Sequence, residues 1–324
     1  MRALVTGGAG FIGSHLVDVL MRDKKFSKVV VIDNLSTGRY ENIAHWESDE
    51  KFSFIKADLA NIDEIIDAFK DIDVVFHFAA ESDVRIGVKN PEKMWRDNVV
   101  VTFNVLEAMR INNVRFIVFS SSSTVYGDQV KLPTPEDALL QPISIYGASK
   151  LAGESLILGY ANTFKMRGLI LRYANIIGAR LRHGVIYDFI MKLLKNPNEL
   201  EILGDGTQRK SYLHVSDAIS ATMHLFERFL RSNSRFEIYN VGNEDWITVK
   251  EIADIVSKVL GVNPKYTFTG GVEGGRGWIG DVKLMLLDIN KLKGTGWRPS
   301  LNSSEAVERA AREIYEEIRG SQNP

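Results

Sequence analysis

The sequence contains no cysteine. This absence excludes disulfides, thiolate catalysis and cysteine-based metal sites, and it permits a reducing compartment. No run of 18 or more apolar residues is present, so we predict no membrane span. The first residues, MRALVTGG, lack the apolar core and cleavage region of a signal peptide. We therefore expect a cytoplasmic protein that has no membrane partner.

The charge balance is also close to neutral. Lysine and arginine total 40, aspartate and glutamate total 41, and the formal net charge is -1. This balance gives no general attraction to nucleic acid or to an anionic membrane, although one local basic pocket for a phosphate is compatible with it. The six histidines show no pair at metal-ligand spacing on one helix face, so we predict no metal site.

Short β-rich runs alternate with helical patterns through the first half of the chain. These runs are almost continuously apolar, as expected of strands covered on both faces. The alternation predicts an α/β fold with a doubly wound parallel sheet of the Rossmann type. The predicted strands are Ala3–Thr6, Val29–Ile32, Phe52–Ile55, Val74–Phe78, Phe116–Ser120, Leu169–Tyr173 and one near Glu237–Val241. The predicted helices lie near residues 11–22, 62–70, 93–112, 147–165, 186–195, 216–231, 248–260 and 302–318.

The alternation loosens after about residue 175, where glycine, arginine and proline appear in loops such as Gly178–Gly184 and Gly270–Gly280. We therefore predict a Rossmann domain over residues 1–175 and a smaller lobe over residues 176–324, with some segments of the lobe returning to the sheet. A length of 324 residues suits one large domain with an appended lobe.

A glycine-rich turn, Gly7-Gly8-Ala9-Gly10-Phe11-Ile12-Gly13, joins the first predicted strand to the first predicted helix. Glycines let the chain turn sharply and let a phosphate approach the helix amino terminus, where free N–H groups and the dipole favour an anion. Asp33 ends the second predicted strand. A carboxylate there can accept hydrogen bonds from the adenosine ribose and repels a 2′-phosphate, which favours NAD over NADP. A turn-capping aspartate is the alternative.

Tyr146 and Lys150 are spaced i, i+4 at the start of a predicted helix, so they share one helical face. A phenol has a pKa of about 10, and a nearby ammonium favours its ionised form and lowers that value. A tyrosine tuned in this way can take a proton from a sugar hydroxyl. Surface packing is the alternative for such a pair. Ser120–Ser123 follows the fifth strand, at the edge where ligands bind in these folds, although it can equally be a polar loop.

With these motifs together, the chain resembles the extended short-chain dehydrogenases/reductases, and within them the UDP-glucose (UDP-galactose) 4-epimerase family. The resemblance runs nearly from end to end. The matching segments are VTGGAGFIGSH, VIDNLSTG, KADL, VFHFAA, DNVVVTFNVLEA, FSSSSTVYG, PISIYGASKLAGE, LRYANIIGAR, LGDGTQRKSYLHVSD and WIGDVK.

The resemblance implies that Tyr146 is the proton acceptor, Lys150 its electrostatic partner and Ser122 the hydroxyl that shares the substrate oxygen. It also implies tightly bound NAD that is regenerated in each turnover. The residues that it assigns to the cofactor are Gly7, Gly10, Phe11, Ile12, Gly13, Asp33, Asn34, Ser36, Thr37, Gly38, Asp58, Leu59, Phe78, Ala79, Ala80, Asn98, Tyr146, Lys150 and Tyr173. The residues that it assigns to a UDP-sugar in the carboxyl-terminal lobe and at the catalytic group are Ser122, Tyr146, Asn175, Val185, Leu203, Arg209, Lys210, Arg276 and Asp281.

The reaction implied by the resemblance interconverts UDP-glucose and UDP-galactose. Tyr146 removes the O4 proton while C4 gives a hydride to NAD, the 4-keto sugar turns over, and the hydride returns to the opposite face. The resemblance also implies a homodimer in which helices near 93–112 and 147–165 form a four-helix bundle. Apolar residues of the first of these helices suit that bundle or, alternatively, packing against the chain's own sheet, and they are Phe103, Val105, Leu106 and Met109.

Two positions depart from the family pattern. Lys210, preceded by Arg209, replaces a usual arginine, and Trp278 stands where an arginine is common, with Arg276 two residues earlier. The contact with the substrate diphosphate therefore falls to one of three cations, and a lysine lacks the bidentate geometry of an arginine.

Three alternatives stay open. Nucleotide-sugar 4,6-dehydratases resemble one another in carrying Asp-Glu where this chain has Ser123-Thr124, and a UDP-glucuronate decarboxylase wants Glu in place of Thr124. A non-catalytic RNA- or nucleotide-binding module is of another class, and such proteins typically lose the Tyr/Lys pair. Epimerases of N-acetyl sugars or uronates are the third.

Met285, four residues after Asp281, predicts a bulky wall near the sugar C2 substituent, and hence exclusion of N-acetyl sugars.

Overall fold

The computed structural model describes residues 1–129 and 131–322, and the elements that follow are those of this part of the chain. The strands are β1 (Arg2–Thr6), β2 (Lys28–Asp33), β3 (Phe52–Lys56), β4 (Val74–His77), β5 (Phe116–Ser122), β6 (Arg167–Tyr173), β7 (Asn175–Ile177), β8 (Glu199–Ile202), β9 (Arg209–Lys210), β10 (Tyr212–His214), β11 (Phe236–Val241), β12 (Ile247–Thr248), β13 (Lys265–Phe268) and β14 (Leu284–Met285).

The α-helices alternate with the strands in the first half of the chain. They are α1 (Phe11–Arg22), α2 (Ile62–Ile65), α3 (Ile86–Lys89), α4 (Pro91–Trp95), α5 (Val101–Ile111), α6 (Ile145–Phe164), α7 (Val185–Lys195), α8 (Val215–Arg231), α9 (Val249–Leu260), α10 (Asn290–Lys293) and α11 (Ser303–Gln322). Short 3-10 turns cover Tyr40–Asn42, Ala44–Trp46, Ile66–Phe69 and Ser123–Val125.

Seven strands form the main sheet, in the order β3-β2-β1-β4-β5-β6-β11. The registered pairs around its centre, β1 with β2 and β1 with β4, are parallel. All four residues of β4 are buried, because helices cover both faces of such a sheet and leave no face for polar side chains. The predicted doubly wound Rossmann fold is therefore confirmed.

The order of the strands creates a switch point beside β1. The chain runs from β1 outward to β3, and then returns to place β4 on the other side of β1. In sheets of this kind, ligands bind outside the carboxyl ends of the strands at the point where the order reverses. This topology positions the site described below.

The helix predicted near 93–112 is interrupted in the structure. α4 is followed by a π-helical segment, Arg96–Val100, before α5 begins. The hydroxyl of Thr102 donates to the carbonyl of Asn98 at 2.6 Å, a back-bond of the kind that bends helices. Single π turns are frequent at functional sites, and this one carries Asn98, which the resemblance assigns to the cofactor.

The chain forms two compact units. The first comprises residues 1–125, 145–172 and 222–238, and the second comprises residues 126–144, 173–221 and 239–324. The first unit contains a core in which strand residues such as Val75 and Ile117 pack with helix residues such as Val105 and Met109. The predicted domain boundary at residue 175 stays a prediction. The two observed units differ from it in two segments, because residues 126–144 belong to the second unit and residues 222–238 belong to the first.

The second unit is built from helices and three small sheets. α7, α9 and α11 pack on one another. The sheets pair β7 with β10 and β8 with β13, and they place β9 between β12 and β14. Among residues 1–129 and 131–322, none of the helices combines the length and the apolar character that crossing a bilayer requires.

Candidate active site

The glycine turn between β1 and α1 is as tight as its sequence predicts. Gly7 has φ +68, and a Cβ there would lie 2.6 Å from the backbone nitrogen of Ala79. A Cβ at Gly13 would overlap the carbonyl oxygen of Gly7. The N-cap of α1 is Gly10, which brings no side-chain oxygen to the first turn of the helix. The turn therefore presents backbone amides to an anion, as a dinucleotide diphosphate requires.

Asp33 ends β2 and is buried. Its carboxylate accepts the backbone N–H of Ala9 at 3.0 Å and the backbone N–H of Leu35 at 2.8 Å. Burial raises the pKa of Asp33, and these two hydrogen bonds oppose the rise. Asp33 thus caps its turn, which was the alternative interpretation, and a carboxylate still has acceptor sites left for ribose hydroxyls. The glycine turn and this carboxylate together fit the diphosphate and the ribose of a dinucleotide.

The other residues predicted to bind the cofactor follow the ends of neighbouring strands. Asn34, Ser36, Thr37 and Gly38 follow β2, Asp58 and Leu59 lie after β3, Phe78, Ala79 and Ala80 follow β4, and Tyr173 is the last residue of β6. Since the carboxyl ends of parallel strands meet at one edge, the groups after β2, β3 and β4 share the edge that carries the glycine turn. Their individual contacts with the cofactor stay predictions.

Asn98 connects the loop after β4 to the start of α6. Its side-chain oxygen accepts the backbone N–H of Glu81 at 2.7 Å, and its side-chain nitrogen donates to the hydroxyl of Ser149 at 2.8 Å. The Ser149 hydroxyl donates in turn to the carbonyl of Tyr146 at 2.7 Å. The amide of Asn98 therefore orients the first turn of α6, and its predicted contact with the cofactor stays a prediction.

Ser122, Tyr146 and Lys150 come together at the end of β5 and the start of α6. Tyr146 and Ser122 share a side-chain hydrogen bond. The Lys150 side chain is buried, its ammonium lies 5.8 Å from the centroid of the Tyr146 ring, and its Nζ donates to the carbonyl of Ser120 at 2.8 Å. The predicted i, i+4 arrangement thus places an ammonium, a phenol and a hydroxyl in one group.

The protonation of this group differs from the prediction. Burial raises the pKa of Tyr146 to about 12, although the hydrogen bond with Ser122 lowers it; the charge of Glu81 raises it further. Burial also lowers the pKa of Lys150 to about 8. The Tyr146 pKa, predicted to lie below its ordinary value, is thus raised in this structure, because the loss of hydration outweighs the hydrogen bond with Ser122.

Glu81 is a site residue that the sequence analysis missed. It is buried, its carboxylate pairs with Lys93 at 2.6 Å, and the N–H of Asp83 donates to it at 3.1 Å. Its negative charge acts on the Tyr146 phenol. The signal in the sequence is a glutamate directly after Phe78-Ala79-Ala80, a polar residue just beyond a strand end, where the resemblance assigns only the apolar triplet.

In the second unit, two of the three candidate cations for the diphosphate lie close to each other. Lys210 Nζ pairs with the carboxylate of Asp281 at 2.5 Å, and Arg276 donates to the Asp281 carbonyl at 2.5 Å. Arg276 also pairs with Asp128 at 2.7 Å. Arg209 instead lies 5.3 Å above the ring of Trp246. Successive residues of a strand point to opposite faces, so Arg209 and Lys210 diverge on β9.

The remaining residues predicted to contact the substrate belong to the second unit as well. Asn175 begins β7 and donates to the carbonyl of Ser211 at 3.1 Å. Val185 is the first residue of α7, and Leu203 follows β8 and is exposed. Their roles toward a nucleotide sugar stay predictions.

Comparison with known proteins places this geometry in a family. The sequence model of the NAD dependent epimerase/dehydratase family matches residues 3–242. The chain belongs to this family. It is therefore an NAD-dependent member of the extended short-chain dehydrogenases/reductases that act on nucleotide sugars, and the predicted family and cofactor are confirmed.

Relatives within the epimerase/dehydratase family differ in their sugars. A UDP-glucose 4-epimerase of Mycolicibacterium smegmatis is 34% identical over 315 residues, which are 95% of this chain and 96% of the relative. A solved structure of a UDP-galactose 4-epimerase is 48% identical, with a TM-score of 0.88 and coverage of 98% of this chain and 100% of that chain. The UDP-glucuronic acid 4-epimerase of Bacillus cereus, solved with UDP-glucuronic acid and NAD, is 30% identical with a TM-score of 0.86, and 98% of this chain and 99% of that chain are covered.

Proposed function

We propose that the protein interconverts UDP-glucose and UDP-galactose by inverting the configuration at C4. The observation that carries this proposal is the group of Ser122, Tyr146 and Lys150, joined by the hydrogen bond between Ser122 and Tyr146. A phenol and a hydroxyl that are bonded to each other can both reach one sugar oxygen. The similarity to a UDP-galactose 4-epimerase at 48% identity supports this choice of sugars.

The residues of this chain perform a single proton transfer in each direction. Tyr146, as the phenolate that the positive charge of bound NAD would favour against the effect of burial, takes the proton of the sugar O4 when C4 is oxidised and gives it back when the ketone is reduced. Ser122 holds the same oxygen, and its hydrogen bond favours the phenolate form of Tyr146. NAD, when bound, supplies a hydride acceptor and a positive charge, and the glycine turn and Asp33 would hold it. The 4-keto sugar exposes its other face before the reverse transfer.

A 4,6-dehydratase reaction is disfavoured by the turn after β5. That reaction needs an acid and a base to eliminate water across C5 and C6, and the positions beyond Ser122 hold Ser123 and Thr124. The Thr124 hydroxyl donates to the Ser122 oxygen at 3.0 Å, so it is oriented toward Ser122 and carries no charge. A hydroxyl is too weak an acid and too weak a base for that elimination at neutral pH.

The proposal is tested by incubating the purified protein with a panel of nucleotide sugars and separating the products. We expect UDP-glucose and UDP-galactose to interconvert without added cofactor, and denaturation to release NAD. A 4-keto-6-deoxy product would contradict the proposal in favour of the dehydratase. Retention of NAD without turnover of any sugar would favour a binding module instead.

Discrimination among epimerase substrates is expected to depend on Met285. This residue is buried on β14, where it is paired in register with Lys210 of β9. A bulky side chain that bounds the sugar near C2 excludes an N-acetyl group, so UDP-galactose is expected to have a higher kcat/KM than UDP-N-acetylgalactosamine. In Met285→Ala, we expect N-acetyl activity to rise by about tenfold, within the range that small volume changes in a pocket produce. Equal kcat/KM values for the two sugars in the parent protein would refute this role.

We also propose a homodimer formed through α5 and α6. Val105, Leu106 and Met109 are fully buried in the core of the first unit, so these residues pack against their own sheet. Four large apolar residues elsewhere on the two helices are exposed, and they are Phe103, Ile111, Ile145 and Phe164. They offer the apolar surface that pairing of these helices requires.

Light scattering at micromolar concentration is expected to give the mass of a dimer. Phe103→Lys is expected to shift the mass toward that of a monomer, because a charge at an apolar interface opposes association. Met191→Lys is the matched control, since Met191 is an exposed apolar residue on α7 and is expected to leave the mass unchanged. A monomer mass for the parent protein would contradict the dimer.

A further inference from the structure

A buried ion pair joins α6 to β6 in the first unit, and its carboxylate lies one helical turn beyond Lys150. Glu154 of α6 and Arg172 of β6 are 1% and 2% exposed. Two guanidinium nitrogens of Arg172 donate to the two carboxylate oxygens of Glu154, at 3.0 and 2.7 Å. The hydroxyl of Ser121, on β5, donates to the same carboxylate. The orientation of the Glu154 carboxylate is therefore held from both neighbouring strands.

Glu154 follows Lys150 by four residues on α6, so the two side chains share one face of the helix. Burial lowers the pKa of Lys150, and the negative charge of Glu154 acts against this effect. Two opposite charges in a protein interior interact several times more strongly than the same two charges in water. Without the carboxylate, the buried ammonium would lose the partner that favours its charged form.

The other groups around Lys150 do not replace this carboxylate. His77 of β4 is buried and bonds the hydroxyls of Thr6 at 2.6 Å and Thr102 at 3.0 Å. Burial lowers the pKa of His77 to about 3 and the Lys150 charge acts in the same direction, so the imidazole is neutral. Phe119 of β5 contributes only a ring face, 5.2 Å from the ammonium.

The remaining charged groups of this region act elsewhere. Tyr146, on the same helix, brings no negative charge beside Lys150 in this structure, because burial raises the pKa of its phenol to about 12. The charge of Glu81, from the loop after β4, acts on the Tyr146 phenol, and its carboxylate pairs with Lys93. Arg172, from β6, is a cation that by itself would disfavour the charged form of Lys150, and Glu154 neutralises the charge of Arg172.

We propose that Glu154 is a positioning residue that keeps Lys150 protonated, with Arg172 and Ser121 holding the carboxylate in place. This inference rests on the proposed function, because a charged Lys150 matters through the proton transfer of Tyr146. A merely structural role explains the arrangement less well. Buried ion pairs add little stability over apolar residues of similar volume, so the charge itself needs a reason.

The direct test is a titration of Lys150 in the folded protein by NMR of its side-chain ¹⁵N, with Lys150→Met identifying the signal. In the parent protein we expect a midpoint at about 8. In Glu154→Gln we expect the midpoint to fall by about one pH unit or more, since the loss of the opposite charge leaves the lowering effect of burial on the Lys150 pKa unopposed. An unchanged midpoint would overturn the proposal.

Two further variants separate charge from structure. Arg172→Lys breaks the bidentate contact but keeps both charges, so the midpoint is expected to stay close to that of the parent. Glu154→Gln combined with Arg172→Met removes both charges from the interior, so it stays folded if the single variant does not, and the midpoint is expected to fall by less than in Glu154→Gln because an opposing cation is also lost. A fall of equal size in Arg172→Lys would show that distortion, and not charge, is responsible.

The pH dependence of kcat gives the second measurement. The alkaline limb is expected to move to lower pH in Glu154→Gln by the same amount as the Lys150 midpoint. A uniform loss of kcat with an unmoved limb would contradict the proposal. If the parent protein turns over no nucleotide sugar, the proposed function fails, while the NMR titration of Lys150 still decides the role of Glu154.

Discussion

Tyr146→Phe is expected to lower kcat for UDP-galactose by about 10²- to 10⁴-fold, the range in which general acid–base groups contribute. The substitution deletes one oxygen, which is the atom that carries the proton to and from the sugar. The ring and its place at the start of α6 stay as they are. We therefore expect KM and the amount of bound NAD to change much less than kcat, and steady-state kinetics with an assay of released NAD measures both.

Tyr160→Phe is the matched control for this loss. Tyr160 lies on the same helix, and its hydroxyl donates to Glu107 at 2.6 Å, so the control also removes a hydrogen-bonded phenol oxygen. Its kcat is expected to stay near that of the parent. Near-normal turnover in Tyr146→Phe would show that another group carries the proton.

NAD is expected to bind more tightly than NADP. In Asp33→Asn, the ratio of the two affinities is expected to shrink by on the order of 10- to 100-fold. The Asp33 carboxylate lies at the end of β2 beside Gly38, where a Cβ would come within 2.9 Å of both carboxylate oxygens. A 2′-phosphate near this carboxylate meets a like charge, which costs about 1–4 kcal/mol at 4 Å between the limits of water and a protein surface. Titration of the two cofactors into stripped protein, followed by fluorescence, gives the two affinities.

The preference for NAD over NADP is also expected to depend on pH. Burial raises the pKa of Asp33, so its carboxylate takes up a proton at a higher pH than an exposed aspartate does. The preference for NAD is therefore present at neutral pH and weakens as the pH falls through the raised pKa. Asp73→Asn, directly before the amino end of β4, is the control and is expected to leave the ratio unchanged. Equal affinities of the parent protein for NAD and NADP would contradict the proposed role of Asp33.

Much of the cofactor half of the protein could be predicted because its signals are local. The apolar runs at β1, β2 and β4 have no solvent face, and the structure places each within a residue or two of its predicted bounds. The glycine turn follows β1 directly, so its place at the sheet edge follows from the strand itself. The helix near 93–112 was less predictable, because the π turn at Arg96–Val100 arises from contacts that its apolar pattern does not encode.

The second unit was harder to predict. Its strands are short: β9, β12 and β14 have two residues each, too few for a periodic pattern to mark them. Their partners lie far away in the sequence, as Lys210 and Met285 do. The ion pair of Lys210 with Asp281 depends on that pairing, and the spacing along the chain does not reveal it.

The sequence by itself determined the doubly wound sheet, the glycine turn at the end of β1 and the grouping of Tyr146 with Lys150, because periodicity and i, i+4 spacing act over a few residues. Only the tertiary structure decided the protonation of that group. The pKa values of Tyr146 and Lys150 depend on burial and on the charges of Glu81 and Glu154. Burial is the sum of contacts from every element packed around a side chain, and no local stretch of sequence contains that sum.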